Sequence, residues 1–309
     1  MSRFSSRRKF AAARPAALNA VAAAGTMLVS GMLACSSQAH AAGLAPHRAV
    51  YEMRLDGANS GAGIAGLVGR MVFEFRGSSC DGYTQSMRLV TRVTGRDGQG
   101  SVSDVRTSSW EAGDGDVFKF SSTTLRNARL STASSGSAER STDDRTTITV
   151  DKPAQTRSAI DGEVMFPVTH TREILERARR GERFLAADVF DGSEEGKKYF
   201  RTTTVIGRRR AADDQQAVPA DRFGLAGLAS WPVSIGYYEE TVSADAEGRS
   251  GPEPDSERPQ AEGETLPTYE MAYSFFENGV ARGLKIDYGT FRVRGTLSDI
   301  TYYDQSACD

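Results

Sequence analysis

The side chains of this 309-residue chain that could do chemistry begin with its cysteines. There are three, Cys35, Cys80 and Cys308, and Cys35 falls inside a segment that has the pattern of a removable export signal. Its removal leaves two cysteines, and an even count in an oxidising compartment predicts a disulfide, Cys80–Cys308. This bond would close nearly the whole remaining chain into one loop, for which the chain-entropy relation gives a stabilisation of about 5 kcal/mol.

Hydrolase chemistry needs a nucleophile, a base and a group that orients the base. His47 and His170 are the histidines beyond the export signal. His170 is the better candidate base, because it lies at the start of a predicted helix, where the dipole disfavours the charged imidazolium. No Gly-x-Ser-x-Gly motif accompanies it. A surface or capping role is more common for such a histidine, so we assign no catalytic residue and predict no enzyme.

The residue pattern gives little support to a metal or nucleotide site. Structural zinc needs four clustered nitrogen or sulfur ligands, whereas only two histidines remain and both cysteines are assigned to the disulfide. Gly61-Ala-Gly-Ile-Ala-Gly66 has the spacing of a dinucleotide fingerprint, but a strand pattern at 71–75 follows it where that mechanism requires a helix. We therefore predict no metal and no cofactor.

The first 41 residues have the pattern of a cleaved signal peptide, with a basic start, an apolar middle and the cleavage site Ala39-His-Ala41. The apolar stretch is shorter than the ~20 residues that a spanning helix needs, so we expect a soluble periplasmic protein. Two alternatives are lipoprotein cleavage at Cys35 and twin-arginine export through Arg7-Arg8. Without the five basic residues of this leader, 33 basic residues remain against 40 acidic ones, a net charge near −7 that argues against nucleic acid as a partner.

Alternation with period two dominates the rest of the chain and indicates antiparallel strands with one buried face. Tyr51, Met53 and Leu55 alternate with charged residues, as do the aromatic residues around Asn278-Gly279, a strong hairpin signal. Apolar residues at helical spacing predict one helix from about His170 to Arg180, which Gly181 caps. The sequence therefore predicts an all-β, mainly antiparallel domain with a curved sheet and one associated α-helix.

The aromatic residues of the C-terminal strands could line a cavity for an apolar ligand. The candidates are Tyr273, Phe275, Tyr288 and Phe291. The alternative is that these rings pack against each other as core. We expect residues 42–309 to form a single domain, with mobile loops near 208–220 and 245–267, where the composition offers little to bury.

The chain from about Leu44 to Asp309 resembles the EipB family of periplasmic cell-envelope integrity proteins, formerly a domain of unknown function. The stretches that carry the resemblance are Leu44-Ala-Pro-His-Arg-Ala-Val-Tyr51, Ser79-Cys-Asp-Gly-Tyr83, Phe166-Pro-Val-Thr-His-Thr171, Leu185-Ala-Ala-Asp-Val-Phe-Asp-Gly192 and Gly279-Val-Ala-Arg-Gly-Leu-Lys-Ile-Asp-Tyr288.

The resemblance implies a spiral or barrel-like sheet, a disulfide that matches Cys80 and Cys308, and a role in envelope integrity without an established enzyme activity. We therefore expect a non-enzymatic protein that binds another envelope protein or component. A carrier of a lipid or other apolar ligand is the alternative, and a hydrolase that uses His170 ranks below both.

Overall fold

A computed structural model describes residues 43–211, 220–244 and 266–304 together with Cys308. The expected signal peptide at 1–41, Cys35 and most of the expected mobile loops near 208–220 and 245–267 lie outside these ranges. Within them, no helix is both long enough and apolar enough to cross a bilayer.

Strands make up most of the described residues, and one α-helix accompanies them. The strands of the N-terminal half are β1 (His47–Ala58), β2 (Ile64–Ser78), β3 (Gly82–Gly95), β4 (Gly100–Glu111), β5 (Val117–Arg126), β6 (Arg129–Arg140), β7 (Arg145–Lys152) and β8 (Thr156–Asp161). Those that follow are β9 (Val164–Met165), β10 (Phe184–Val189), β11 (Lys198–Ile206), β12 (Ser230–Thr241), β13 (Ser243–Ala244), β14 (Tyr269–Phe276), β15 (Ala281–Asp287) and β16 (Phe291–Tyr302).

All of these strands belong to one sheet, and its two ends are brought together by the chain itself. The order is β13-β8-β7-β6-β5-β4-β3-β2-β1-β16-β15-β14-β12-β11-β10-β9. At one end of the sheet, β13 follows β12 in the chain and pairs with β8. At the other end, β9 follows β8 in the chain and pairs in parallel with β10. Neighbours in the chain thus occupy opposite ends of the order, so the sheet curls into a nearly closed, barrel-like form. The expected all-β, mainly antiparallel, strongly curved sheet is confirmed.

The alternation in the sequence separates an apolar inner face from a charged outer face. In β1 the side chains of Ala49, Tyr51 and Met53 are buried on the inner face, whereas Arg54 is exposed on the outer face. Three clusters of buried apolar side chains cover the inner face around the sheet. Burial of this apolar surface is the main favourable contribution to folding.

Small residues allow the inner face to curve tightly at particular points. A Cβ atom at Gly136 in β6 would lie 2.3 Å from the carbonyl oxygen of Thr149 and 2.9 Å from Cζ of Phe120. Register shifts, such as the one between Val50 and Tyr51 in the pairing of β1 with β16, add local bends. Glycine in a strand interior commonly marks such close approach of neighbouring groups.

The helix α1 (Pro167–Arg180) packs its apolar stripe on the inner face of the sheet. Its side chains Val168, Ile174 and Leu175 share a buried cluster with inward residues of β10, β11, β12 and β14. Pro167 at the first helical position suits the start, and Gly181 ends the helix in the left-handed conformation at φ 78°. The helix and its glycine cap are as predicted, although it starts three residues before His170.

Candidate binding site

The sulfur atoms of Cys80 and Cys308 form a disulfide, with 2.01 Å between them and 5.8 Å between the Cα atoms. Cys80 lies in the turn between β2 and β3, whose backbone is held by Ser78: its hydroxyl accepts hydrogen bonds from the amides of Cys80 and Asp81. The bond joins the C-terminal end of the chain to this turn, as the cysteine count predicts.

The disulfide-bearing turn is in contact with the region where α1 begins. The carbonyl oxygen of Ser79 lies so close to Gly113, in the turn after β4, that a Cβ atom there would be 1.8 Å away. Arg172 of α1 donates a hydrogen bond to the Gly113 carbonyl at 3.3 Å. The C-terminal end, two turns of the sheet and the helix are therefore connected through successive direct contacts.

A buried carboxylate from the sheet caps the N-terminus of α1. The residue before the helix, Phe166, has no capping side chain, and Glu111 at the end of β4 fills this role. Its oxygens accept hydrogen bonds from the amides of Val168 and Thr169, each at 2.7 Å, and from the Thr169 hydroxyl at 2.6 Å. Desolvation nevertheless raises the pKa of Glu111, because burial disfavours its charge more than these bonds favour it.

His170 lies in the core between α1 and the sheet, and this differs from the surface or capping position that is more common for such a residue. It is 5% exposed, and its Nε2 atom is 3.5 Å from the hydroxyl oxygen of Thr202 on β11. Burial lowers the pKa of His170 to about 4, so the ring is neutral at neutral pH. Thr202 already donates its hydroxyl hydrogen to the Ala187 carbonyl at 2.8 Å. This placement therefore gives no support to a hydrolase that uses His170.

The other histidine, His47, is also a core residue. Its ring lies 5.9 Å from that of Phe73 and 6.3 Å from those of Phe75 and Tyr302. Its Nδ1 atom is 2.7 Å from the Ala45 carbonyl oxygen, and burial lowers its pKa. Among the described residues, no three His, Cys, Asp or Glu side chains come together as a metal site would require.

The four aromatic candidates divide between core and accessible positions. Phe275 is 2% exposed and belongs to the cluster beneath α1. Tyr273 also faces inward, at right angles to the ring of Phe275 with 5.8 Å between the centroids, but it remains half-buried. Tyr288 is 41% exposed and stacks on Phe291 at 4.9 Å. The ring of Tyr288 also lies 6.1 Å from that of Tyr269 on β14.

Two further tyrosines, which the sequence analysis did not select, extend Tyr273 into an inward-facing wall. Tyr237 of β12 stacks on Tyr269 of β14 with 4.5 Å between the ring centroids, and Phe200 meets both rings edge-on. Burial raises the pKa of Tyr237, Tyr269 and Tyr273, although all three residues stay partly accessible. Their hydroxyls make no hydrogen bond to any described residue. These three tyrosines therefore form an aromatic wall that is partly accessible.

Asp191 lies close enough to this tyrosine wall for its charge to raise the pKa of Tyr237 and Tyr269. Its own pKa is raised by desolvation, and its Oδ1 atom accepts a hydrogen bond from the Ser193 amide at 2.9 Å. The sequence signal was present, because Asp191 falls in the stretch Leu185–Gly192 that carries the family resemblance. Its position beside the wall depends on the pairing of distant strands, which the sequence does not show.

Comparison with known proteins identifies relatives across nearly the whole chain. The EipB-like family model matches residues 38–304. The cell envelope integrity protein EipB of Brucella abortus (strain 2308) is 34% identical over 289 residues, which cover 92% of this chain and 94% of that protein. The crystal structure of a β-barrel-like protein of a domain of unknown function from Brucella abortus superposes with a TM-score of 0.71 at 32% identity, covering 84% of this chain and 99% of the other. The chain therefore belongs to the EipB-like family.

Proposed function

We propose that this protein is exported to the periplasm and supports the integrity of the cell envelope by binding another envelope component, without catalysing a reaction. The observation that carries the proposal is the 34% identity to an envelope integrity protein along almost the full length of both chains. The Cys80–Cys308 disulfide supports export, because such bonds persist in oxidising compartments.

The architecture supports a binding role in two ways. The nearly closed sheet presents a large outer surface, and its helix occupies part of the inner face. His170, the best candidate base, lies in the core. If His170→Ala preserves envelope function in cells at a matched protein level, a mechanism that depends on this base is excluded.

Complementation tests the envelope role and the export together. A strain without the gene should become sensitive to a membrane-active detergent, and the full chain should restore resistance. A variant without residues 2–41 should accumulate in the cytoplasm and fail to restore it. Equal rescue by this variant would contradict a periplasmic site of action, and rescue by Cys35→Ser would exclude a requirement for lipidation.

A second candidate function is the transport or storage of a lipid or other apolar ligand. The observation that favours it is the partly accessible, inward-facing tyrosine wall of Tyr237, Tyr269 and Tyr273. Native mass spectrometry of protein purified from the periplasm should show a co-purifying molecule that Tyr273→Ala reduces. A homogeneous, ligand-free mass under these conditions would argue for a partner that binds the outside of the sheet.

A further inference from the structure

The outer face of strands β1 to β4 carries a patch in which arginines surround partly exposed valines. We call it the arginine–valine patch; it is formed by Arg54, Val68, Arg70, Val90, Arg92 and Val102. These side chains and Glu52 surround a groove of about 450 Å³ on the outside of the sheet. The groove is shallow and open to solvent, so it can accommodate a short stretch of extended chain lying on the sheet.

Strand register places four residues of the patch in one row across the sheet, whereas Arg70 and Val90 pair in the neighbouring row. Arg54 pairs with Val68, Val68 with Arg92, and Arg92 with Val102. Because neighbouring strands lie about 4.8 Å apart, the Cα atoms of Arg54 and Arg92 are separated by about 10 Å, on either side of Val68. Both arginine side chains are long enough to reach an anion placed above this valine.

Two of the arginines have no acidic partner among the described residues. Arg70 donates two hydrogen bonds to Glu52 at 2.7 and 2.9 Å. In contrast, Arg54 and Arg92 are exposed and make no ion pair or side-chain hydrogen bond within the described residues. The groove therefore has a net positive charge, on a chain whose acidic residues outnumber its basic ones by 40 to 38.

The valines give the groove an apolar floor. Val68 is 50% exposed, one of few large apolar side chains with this exposure, and Val90 and Val102 are half-buried beside it. An exposed aliphatic surface bordered by unpaired arginines matches a ligand that combines carboxylates with aliphatic side chains.

We propose that the arginine–valine patch is the docking site for an extended, acidic segment of a partner protein in which acidic and aliphatic residues take turns along one face, in the pattern acidic-x-aliphatic-x-acidic. Carboxylates at the first and fifth positions of this pattern pair with Arg54 and Arg92, and the aliphatic side chain at the third position, on the same face, covers Val68. The inference rests on the proposed binding function and names the surface and the chemistry of the partner.

The shape and composition of the patch favour a protein segment over a membrane surface. A bilayer is flat on this scale and would leave a concave groove unfilled, whereas an extended chain can lie in it. The groove also contains Glu52 and lacks the aromatic anchors and the dense lysine and arginine clusters that are typical of membrane-binding surfaces.

A labelled peptide of three Glu-Ser-Val-Ser repeats presents glutamate and valine in turn on one face and is a direct probe of the patch. With the full, oxidised chain, we expect saturable binding in fluorescence anisotropy that weakens as salt increases. Arg54→Glu/Arg92→Glu should weaken it by about tenfold or more, because each reversal replaces attraction by repulsion. Arg208→Glu/Arg209→Glu is the matched control: it reverses two exposed arginines that follow β11, a strand separated from β1 by four others in the sheet order, and should leave binding unchanged.

Other outcomes overturn the proposal. These are no binding of the peptide to the wild-type chain, equal loss in both double variants, and equal binding of a peptide with glutamine in place of glutamate. Sedimentation with vesicles of phosphatidylglycerol and phosphatidylcholine tests the membrane alternative: vesicle binding that Arg54→Glu/Arg92→Glu abolishes, without peptide binding, would assign the patch to lipid. Unchanged melting temperatures of the variants exclude misfolding as the cause.

Capture from an envelope extract separates this proposal from the proposed function. If the wild-type chain captures a component that Arg54→Glu/Arg92→Glu captures equally well, the patch proposal fails while the binding function stands. If the wild-type chain captures nothing, the binding function itself fails.

Discussion

Two buried ionisable side chains, Glu111 and His170, have environments that alternation alone could not reveal. The sequence pattern places Glu111 on a strand and His170 on a helix, as observed. Their side-chain partners, however, are Val168, 57 residues from Glu111, and Thr202, 32 residues from His170. Pattern analysis identifies which side of an element is buried. It does not identify which element covers that side, so the capping role of Glu111 was missed.

Replacing Glu111 by alanine should lower the free energy of unfolding by about 2–4 kcal/mol, because the buried amide of Val168 and the partly buried amide of Thr169 lose their acceptor. Glu111→Gln should cost less, since its carbonyl oxygen can still accept one of these hydrogen bonds. Urea denaturation measures both, with the exposed Glu176→Ala on the same helix as the control. Equal losses for Glu111→Ala and Glu176→Ala would contradict the capping role.

The lowered pKa of His170 predicts that the protein loses stability in mild acid. Its pKa is about 4 in the folded protein and 6.5 in the unfolded chain, so the unfolded chain binds the proton first as the pH falls. The free energy of unfolding should therefore decrease by up to about 3 kcal/mol between pH 6.5 and pH 4. His170→Gln removes this titration, so its stability should depend less on pH over that window. Parallel curves for the two proteins would contradict the assignment.

At the scale of elements, the sequence was most informative where one periodicity runs without interruption. The hairpin at Asn278-Gly279 and the helix that ends at Gly181 were predicted with their turn residues, because both depend on local backbone preferences. The Ser- and Thr-rich stretch at 101–150 forms β4 to β7, although it contains few large apolar residues. Individual close contacts, such as those around Gly136, depend on strand register and could not be predicted.

Gly136→Ala should destabilise the fold by about 1–3 kcal/mol, because the added methyl group has no room beside the Thr149 carbonyl and the Phe120 ring. Gly66→Ala in β2 is the matched control, since no atom lies within 4 Å of the position that its Cβ would occupy. Thermal unfolding followed by circular dichroism compares the two variants. A similar melting temperature for both would show that the inner face can relax at β6.

For the whole molecule, the cysteine count was enough to predict the disulfide, but not the route by which the sheet closes. Closure depends on β9 and β13, two strands of two residues each, which are too short to produce a periodic pattern. β9 pairs with β10 because it directly follows β8 in the chain, and β13 pairs with β8 because it directly follows β12. Family resemblance supplied the barrel-like form that the alternating residues could not specify.

The disulfide leads to the prediction that concerns the molecule as a whole. It joins residues 228 positions apart, so its loss frees almost the entire domain in the unfolded state and should lower the free energy of unfolding by about 5 kcal/mol on the chain-entropy relation. Cys80→Ser, Cys308→Ser and the double variant should show the same loss, and each should match the wild-type chain under reducing conditions. If the double variant keeps the melting temperature of the oxidised chain, the contacts among the β2–β3 turn, Gly113 and Arg172 would be sufficient to hold this end of the sheet.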